Sequence, residues 1–232
     1  EVIPNRGDWA SMIGVARELA AIFEKELRLP EINLSEEDKA ASDYASVSIE
    51  DPDLCPRYIG RVLSNVTVKP SPMWLSQRLI AAGQRPINNI VDITNYVLME
   101  TGHPLHAFDL NLLAENRVVA RRAKKEEKIN TLDGEKRILK EDMLVIADGT
   151  TPQAVAGIMG GGDSEVGEGT TTILLESAVF NPASIRATSR DLGLISESSQ
   201  RFQRGAAPEM AQFAIDRAAA LMQELAGASV AQ

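Results

Sequence analysis

The sequence predicts a mixed α+β fold, with mixed and antiparallel sheets and flanking helices around a polar pocket. Three observations carry this. Short β-patterned runs recur between Val47 and Phe180. Helical stretches with recognisable start and stop residues lie between and after them. The stretch Arg85–Asp109 combines helical spacing with polar side chains and holds both histidines, His103 and His106.

In chain order, Asp8 is placed to cap a helix in which Trp9, Met12, Ile13, Ala16, Leu19, Ala20, Phe23 and Leu27 recur at helical spacing. That predicts about five turns, with Pro30 beyond the end. Residues 31–46 turn acidic and polar and predict a linker. A helix followed by a linker, with no core of its own, reads as the end of a preceding domain (residues 1–30). The main domain then spans residues 47–232. Val47-Ser48-Ile49 alternates, Tyr58–Leu63 is a strand, and Val66–Val68 is expected to extend it. Ser71 and Pro72 open a helix that Gly83 closes.

The next helix carries Ile87, Val91, Thr94 and Leu98 on one stripe and Ile90, Val97 and Thr101 on another, before Gly102 and Pro104 stop it. Asn88, Asn89 and Asn95 need partners if buried. The helix therefore either frames a polar pocket or is a capped helix with solvated amides. Further strands are expected at Val118–Arg122, Leu144–Ala147 and Thr172–Phe180. Asp133-Gly134 predicts a hairpin with a type I′ turn. Asn181-Pro182 opens a helix ending at Gly193, a serine-rich loop covers Ser196–Ser199, and a last helix runs from about Pro208 to Leu225.

Composition sets bounds. The chain has 232 residues, 44% apolar and 25% charged, as in a globular protein with a sizeable core. The net charge of −9 argues against a generic nucleic-acid coat. Nine lysines and arginines against four acids lie between Arg117 and Lys140. That segment is either a phosphate-facing patch or a solvated hairpin face. Arg186, Arg190, Arg201 and Arg204 add a second basic group. A single cysteine, Cys55, permits no intrachain disulfide and makes a reduced, cytosolic compartment the expectation. No apolar run approaches the roughly 20 residues of a membrane span. No signal peptide is visible, and the chain opens on Glu1, as a piece of a longer protein would.

Three features can carry chemistry. Gly157 and Gly160-Gly161-Gly162 offer either backbone amides to an anion or a strained turn. Glu176 interrupts an apolar strand, so it is at an exposed edge or in a pocket that supplies a donor. His106 suits a base, a water-positioning group or a structural role, and two histidines without clustered carboxylates make a metal site improbable.

The segments Asn88–Tyr96, Gly102–Asp109, Thr131–Gly134, Ala156–Gly161, Leu175–Ala178 and Arg201–Gly205, in this order, resemble the bacterial phenylalanyl-tRNA synthetase β subunit. The match covers the central editing module of that family from about Ser46 to Gln232, and residues 2–27 resemble the end of the domain before it. The resemblance implies post-transfer editing: hydrolysis of tyrosine wrongly attached to tRNA(Phe). It implies Glu176 as the group that reads the tyrosine hydroxyl, and Gly157, Gly160 and Gly161 as a backbone wall, with amides for the ester oxyanion. His106 would orient water or the tRNA 3′ end. Arg85, Thr94, Asn95, Ser196 and Ser198 would line the same pocket. Ser198 departs from the family, which commonly carries alanine there. Implied partners are tRNA(Phe) and the synthetase α subunit, in a heterotetramer of two α and two β subunits. No cofactor is expected here, and ATP and Mg2+ only in the parent complex. The rival reading is a non-catalytic tRNA-docking or subunit-scaffolding module.

Overall fold

The computed structural model describes residues 2–232. Strand β11 (Ile173–Val179) is buried at all seven positions. It pairs antiparallel with β3 (Arg57–Ser64) on one side and β4 (Leu105–Asp109) on the other. Beyond β3 lies β12 (Ser229–Ala231), antiparallel, and then β1 (Glu36–Glu37), parallel to β12. A second sheet contains β2 (Ser46–Ile49), β5 (Arg117–Arg122), β8 (Leu144–Ala147), β9 (Pro152–Val155) and β10 (Met159–Gly160), in the order β10-β9-β8-β5-β2. Within it only β2 and β5 run parallel. β6 (Lys128–Asn130) and β7 (Lys136–Ile138) form a separate hairpin.

Side-chain alternation along β11 assigns its two faces. Ile173 and Leu175 pack with α2 (Met73–Ala81), α3 (Asn89–Thr101) and α6 (Met210–Ala226), through Leu75, Leu79, Ile90, Ile93, Val97 and Ile215. Leu174 and Ala178 face the second sheet, meeting the core of Val118, Ala120, Val145 and Val155, with Ile185 of α4 (Pro182–Leu192) and Phe202 of α5 (Glu197–Phe202). The layers are therefore helices, sheet, sheet. The mixed α+β class expected from the sequence is observed.

The polar residues of α3 are mostly structural. Asn88 caps it, its Oδ1 accepting from the amides of Ile90 and Val91 at 3.0 and 2.9 Å. Asn89, fully buried, accepts from the Lys69 amide and donates to the Thr67 carbonyl, both at 3.0 Å. Asp92 accepts from Ser71 Oγ and the Ile87 amide. Ser71 therefore braces α3 and does not cap α2. The segment after β3 is held by these bonds and does not extend the strand, because Asn65 turns the chain at φ +57°.

Several local expectations are corrected. The first helix, α1, spans Met12–Ile22, shorter than expected. Ser11 caps it, while Asp8 pairs with Arg6. It ends where Glu24 adopts φ +52° and Lys25 donates to Ala20. Met12, Val15, Leu19, Ile22 and Phe23 are exposed, so α1 docks mainly through its first turn. There Arg201 Nε donates to the Ala10 carbonyl at 3.1 Å. The stretch expected to link domains is stitched to the first sheet: besides β1, Ala41 donates to the Gln232 carbonyl and Gln232 to the Lys39 carbonyl. At the Asp133-Gly134 hairpin only Gly134 has a positive φ (+81°), so the turn is not type I′. The serine-rich stretch is the start of α5, capped by Ser196.

Gly157 turns β9 into β10 at φ +67°, and a Cβ there would stand 2.7 Å from Phe180 Cδ2 and 2.9 Å from Phe202 Cδ2. Gly157→Ala should therefore lower stability by about 2 kcal/mol or more, read as the shift of a urea midpoint. Asn89→Ala should cost about 2 kcal/mol by the same measurement, since it strands the Lys69 amide and the Thr67 carbonyl.

Candidate functional site

Glu176 lies at the middle of β11 on the face turned to the second sheet, between Leu174 and Ala178. Its register partners are Gly60 on β3 and His106 on β4. The residue is 7% exposed. Its Oε2 accepts from the Tyr58 hydroxyl at 2.6 Å, and among the described residues no donor reaches Oε1. Burial pushes the carboxyl up to about 7, against a smaller opposing effect of the Tyr58 hydrogen bond. The Tyr58 phenol is in turn held well above its ordinary value by burial and the neighbouring carboxylate.

His106 keeps an exposed flank, but desolvation of its imidazole pushes it down to about 4, so it is neutral at pH 7. Its ring meets Phe108 edge-on, with centroids 4.5 Å apart. It also presses on Gly160: a Cβ there would stand 2.6 Å from the imidazole Cε1 and 2.9 Å from Nε2. Gly160 is thus glycine because the histidine needs the space. The Gly161 amide donates to the Gln153 carbonyl at 2.7 Å, so that amide is committed to the sheet and is not free for an oxyanion. Glu176, His106, Gly160 and, beyond the sequence-derived set, Tyr58 and Gly60 form one cluster.

The other expected residues fall elsewhere. Gly157 is packed among Phe180, Phe202 and Ile185. Ser196 Oγ donates to the Ile158 carbonyl at 2.7 Å, tying α5 to the β9–β10 turn. Ser198, on α5, is partly exposed. Thr94 is buried on α3 and donates to the Val91 carbonyl, Asn95 is partly exposed and Arg85 exposed. Among the described residues no hydrogen bond joins these three to the Glu176 cluster.

His103 is fully buried with neither ring nitrogen hydrogen-bonded. Burial pushes it down to about 4, and it meets Phe202 edge-on. The basic segment is largely neutralised internally, with Arg121 on Glu127, Arg122 on Asp51, Arg137 on Asp133 and Lys140 on Asp191. Lys124, Lys125, Lys128 and Lys136 remain exposed without an ion pair among the described residues. Arg201 is buried, bonded to Glu197, and does not contribute to a surface patch. Two cavities lie away from Glu176: about 250 Å³ between Leu54, Met143 and α4, and a groove of about 670 Å³ between α1, α2 and α3. Among the described residues no three His, Cys, Asp or Glu side chains stand together as metal ligands, and no helix is long and apolar enough to cross a membrane.

Comparison with known proteins adds to this geometry. Over 230 residues, 99% of this chain and 28% of the relative, the sequence is 54% identical to the phenylalanine–tRNA ligase beta subunit of Halalkalibacterium halodurans. The beta subunit of Geobacter sulfurreducens is 54% identical over 98% of this chain and 28% of its own length. That of Moorella thermoacetica is 54% identical over 100% and 29%. The chain thus spans under a third of the length of these relatives. The crystal structure of an N-terminal fragment of the phenylalanyl-tRNA synthetase beta subunit from Pyrococcus horikoshii superposes with a TM-score of 0.55 over 98% of this chain and 60% of that one, at 14% identity, a likeness of fold. The B3/4 domain matches residues 54–227, and with that match over most of its length the chain belongs to the B3/4 domain family.

Proposed function

We propose that the chain is the editing module of a phenylalanine–tRNA ligase β subunit and hydrolyses the ester of tyrosyl-tRNA(Phe). The observation that carries this reading is Glu176: a buried carboxylate with one oxygen unoccupied, on a face that also presents a neutral imidazole and bare glycine backbone. The similarity to β subunits over nearly the whole chain supports the setting.

Tyrosine differs from phenylalanine by one hydroxyl, and a pocket shaped for an aromatic ring rejects the hydroxylated ligand only weakly. A site that offers a carboxylate oxygen without a protein donor does the reverse. The tyrosine hydroxyl satisfies Glu176, whereas phenylalanine leaves it without that partner, a loss of about 1–3 kcal/mol. In the reaction, water attacks the ester carbonyl carbon, the bond to the ribose oxygen breaks, and that oxygen takes up a proton. Neutral His106 can hold the attacking water by accepting its proton in a hydrogen bond. Gly160 fixes where the imidazole stands. Arg85, Asn95 and Ser198, exposed or partly exposed, are left to the rim and to the tRNA end in this reading, whereas Thr94 is buried and Ser196 is bonded to the Ile158 carbonyl. The implied partners are tRNA(Phe) and the synthetase α subunit in the cytoplasm, and the ester hydrolysis itself calls for no ATP.

A docking role without hydrolysis is the second reading, favoured by the four unpaired lysines around the β6–β7 hairpin, which offer charge to phosphates. Deacylation of tyrosyl-tRNA(Phe) by the purified chain separates the two, with phenylalanyl-tRNA(Phe) as control. Under editing, tyrosine is released selectively and Glu176→Ala reduces the preference by about ten-fold or more. Binding without hydrolysis would leave docking.

The ionisation of Glu176 gives two further expectations. The carboxylate is the better acceptor, so the preference for tyrosyl over phenylalanyl ester should grow as pH rises through about 7. For stability the sign is opposite. Glu176 titrates at an ordinary 4.5 unfolded and at about 7 folded. Its stabilising protonated form is fully present below the lower value and lost as pH rises through the upper one. Glutamine has no such loss. Between about pH 4 and pH 8, Glu176→Gln should gain on the order of 3 kcal/mol relative to the unaltered chain, measured by urea unfolding at each pH.

A further inference from the structure

We propose that Tyr58 is the positioning residue for Glu176: its hydroxyl takes Oε2 and fixes the carboxylate so that Oε1 is left to receive a ligand hydroxyl. This rests on the reading of Glu176 as the group that recognises the ligand. Tyr58 stands opposite Ala178 on the neighbouring strand, so its ring reaches Glu176 along the diagonal of the β3–β11 pair. Gly60, directly opposite Glu176, contributes no side chain to the space beside the carboxylate. A Cβ there would meet Leu174 and Val47 at 3.2 Å. The arrangement therefore has a carboxylate, an internal phenol on one oxygen, and no protein donor on the other.

The chemistry of the pair fits that role. Burial and the nearby carboxylate keep the Tyr58 phenol protonated, so it is the donor across the neutral range. The ionisable groups around Glu176 are Tyr58 and Cys55 from the β3 side and His106 from β4. Cys55 feels the carboxylate but is itself pushed up to about 12, hence uncharged, and His106 is neutral. From the second sheet this neighbourhood receives Val47 and Gly160, neither of them charged. Tyr58 is therefore the one group that stabilises the ionised form of Glu176 through a hydrogen bond. A carboxylate held at one oxygen also has less freedom to lose when a second donor arrives at the other.

The test uses the 232-residue chain with glutamate labelled at the carboxyl carbon, the Glu176 resonance being assigned by its disappearance in Glu176→Gln. Its titration is followed in the unaltered chain and in Tyr58→Phe, which keeps the ring, and then with p-cresol or toluene as phenolic and non-phenolic probes. The expected result is a titration midpoint raised by about one pH unit or more in Tyr58→Phe. In the unaltered chain p-cresol should lower the midpoint and toluene leave it in place, and Tyr58→Phe should bind p-cresol about ten-fold more weakly. An unmoved midpoint, or p-cresol bound as tightly or more tightly by Tyr58→Phe, overturns the proposal, the latter showing that Tyr58 competes with the ligand. If the unaltered chain fails to hydrolyse tyrosyl-tRNA(Phe) while these responses hold, the editing function falls and the assignment of Tyr58 stands.

Discussion

The rest of the molecule depends on the register of β11 between β3 and β4. Seven consecutive positions are buried because helices cover one face and a second sheet covers the other. Because side chains alternate, a slip of one residue would exchange the two faces, turning Glu176 into the helix layer and Ile173 or Leu175 toward the second sheet. The apolar pattern of the strand forbids that slip. The acid is thus held in place by the leucines, isoleucine and alanine around it, and its partners Tyr58 and His106 come from strands whose positions follow from the same pairing.

Much of the fold could be read in the sequence where local chemistry decides it. The Asn181-Pro182 start and Gly193 stop of α4 and the Gly102 stop of α3 lie where cap and turn residues placed them, and β8 where its apolar run did, whereas α3 starts at Asn89 and leaves out Ile87, which the sequence pattern puts on its stripe. What escaped was set by distant pairing. β12 and β1 are only three and two residues long; β12 exists because it pairs with β3, and β1 because it adds to β12 at the sheet edge. β4 was hidden by the proline before it and by its two polar residues. In the site, alternation showed which face Glu176 takes with Leu174 and Ala178, but nothing local could show that Tyr58 reaches it across β3, a contact between residues 118 apart in sequence. The resemblance supplied Glu176 and His106 as a pair, and the structure puts them side by side.

Polar residues buried in this chain divide into two groups. Asn89, Asp92, Asp148 and Ser177 are satisfied by backbone groups or nearby side chains and hold segments together. His103, Gln153 Oε1 and Ser164 Oγ have buried polar atoms without a partner, Glu176 has a protein donor on one oxygen only, and burial displaces the ionisation of Glu176 and His103. Leaving a buried group short of partners costs stability. For Glu176 the cost of burial is visible as a carboxyl that ionises near neutrality.

The edge formed by β1 and β12 has a mechanical meaning. The chain enters the first sheet along β1 and leaves it along β12, and the two strands run side by side in the same direction. The hydrogen bonds that Ala41 and Gln232 exchange with their neighbours continue that seam. Tension applied between residues before β1 and those after β12 would slide the strands past one another, so that all the seam's hydrogen bonds share the load at once and do not open one after another. Flanking segments that tug on this edge would therefore meet a clasp before the load reached β3 and β11.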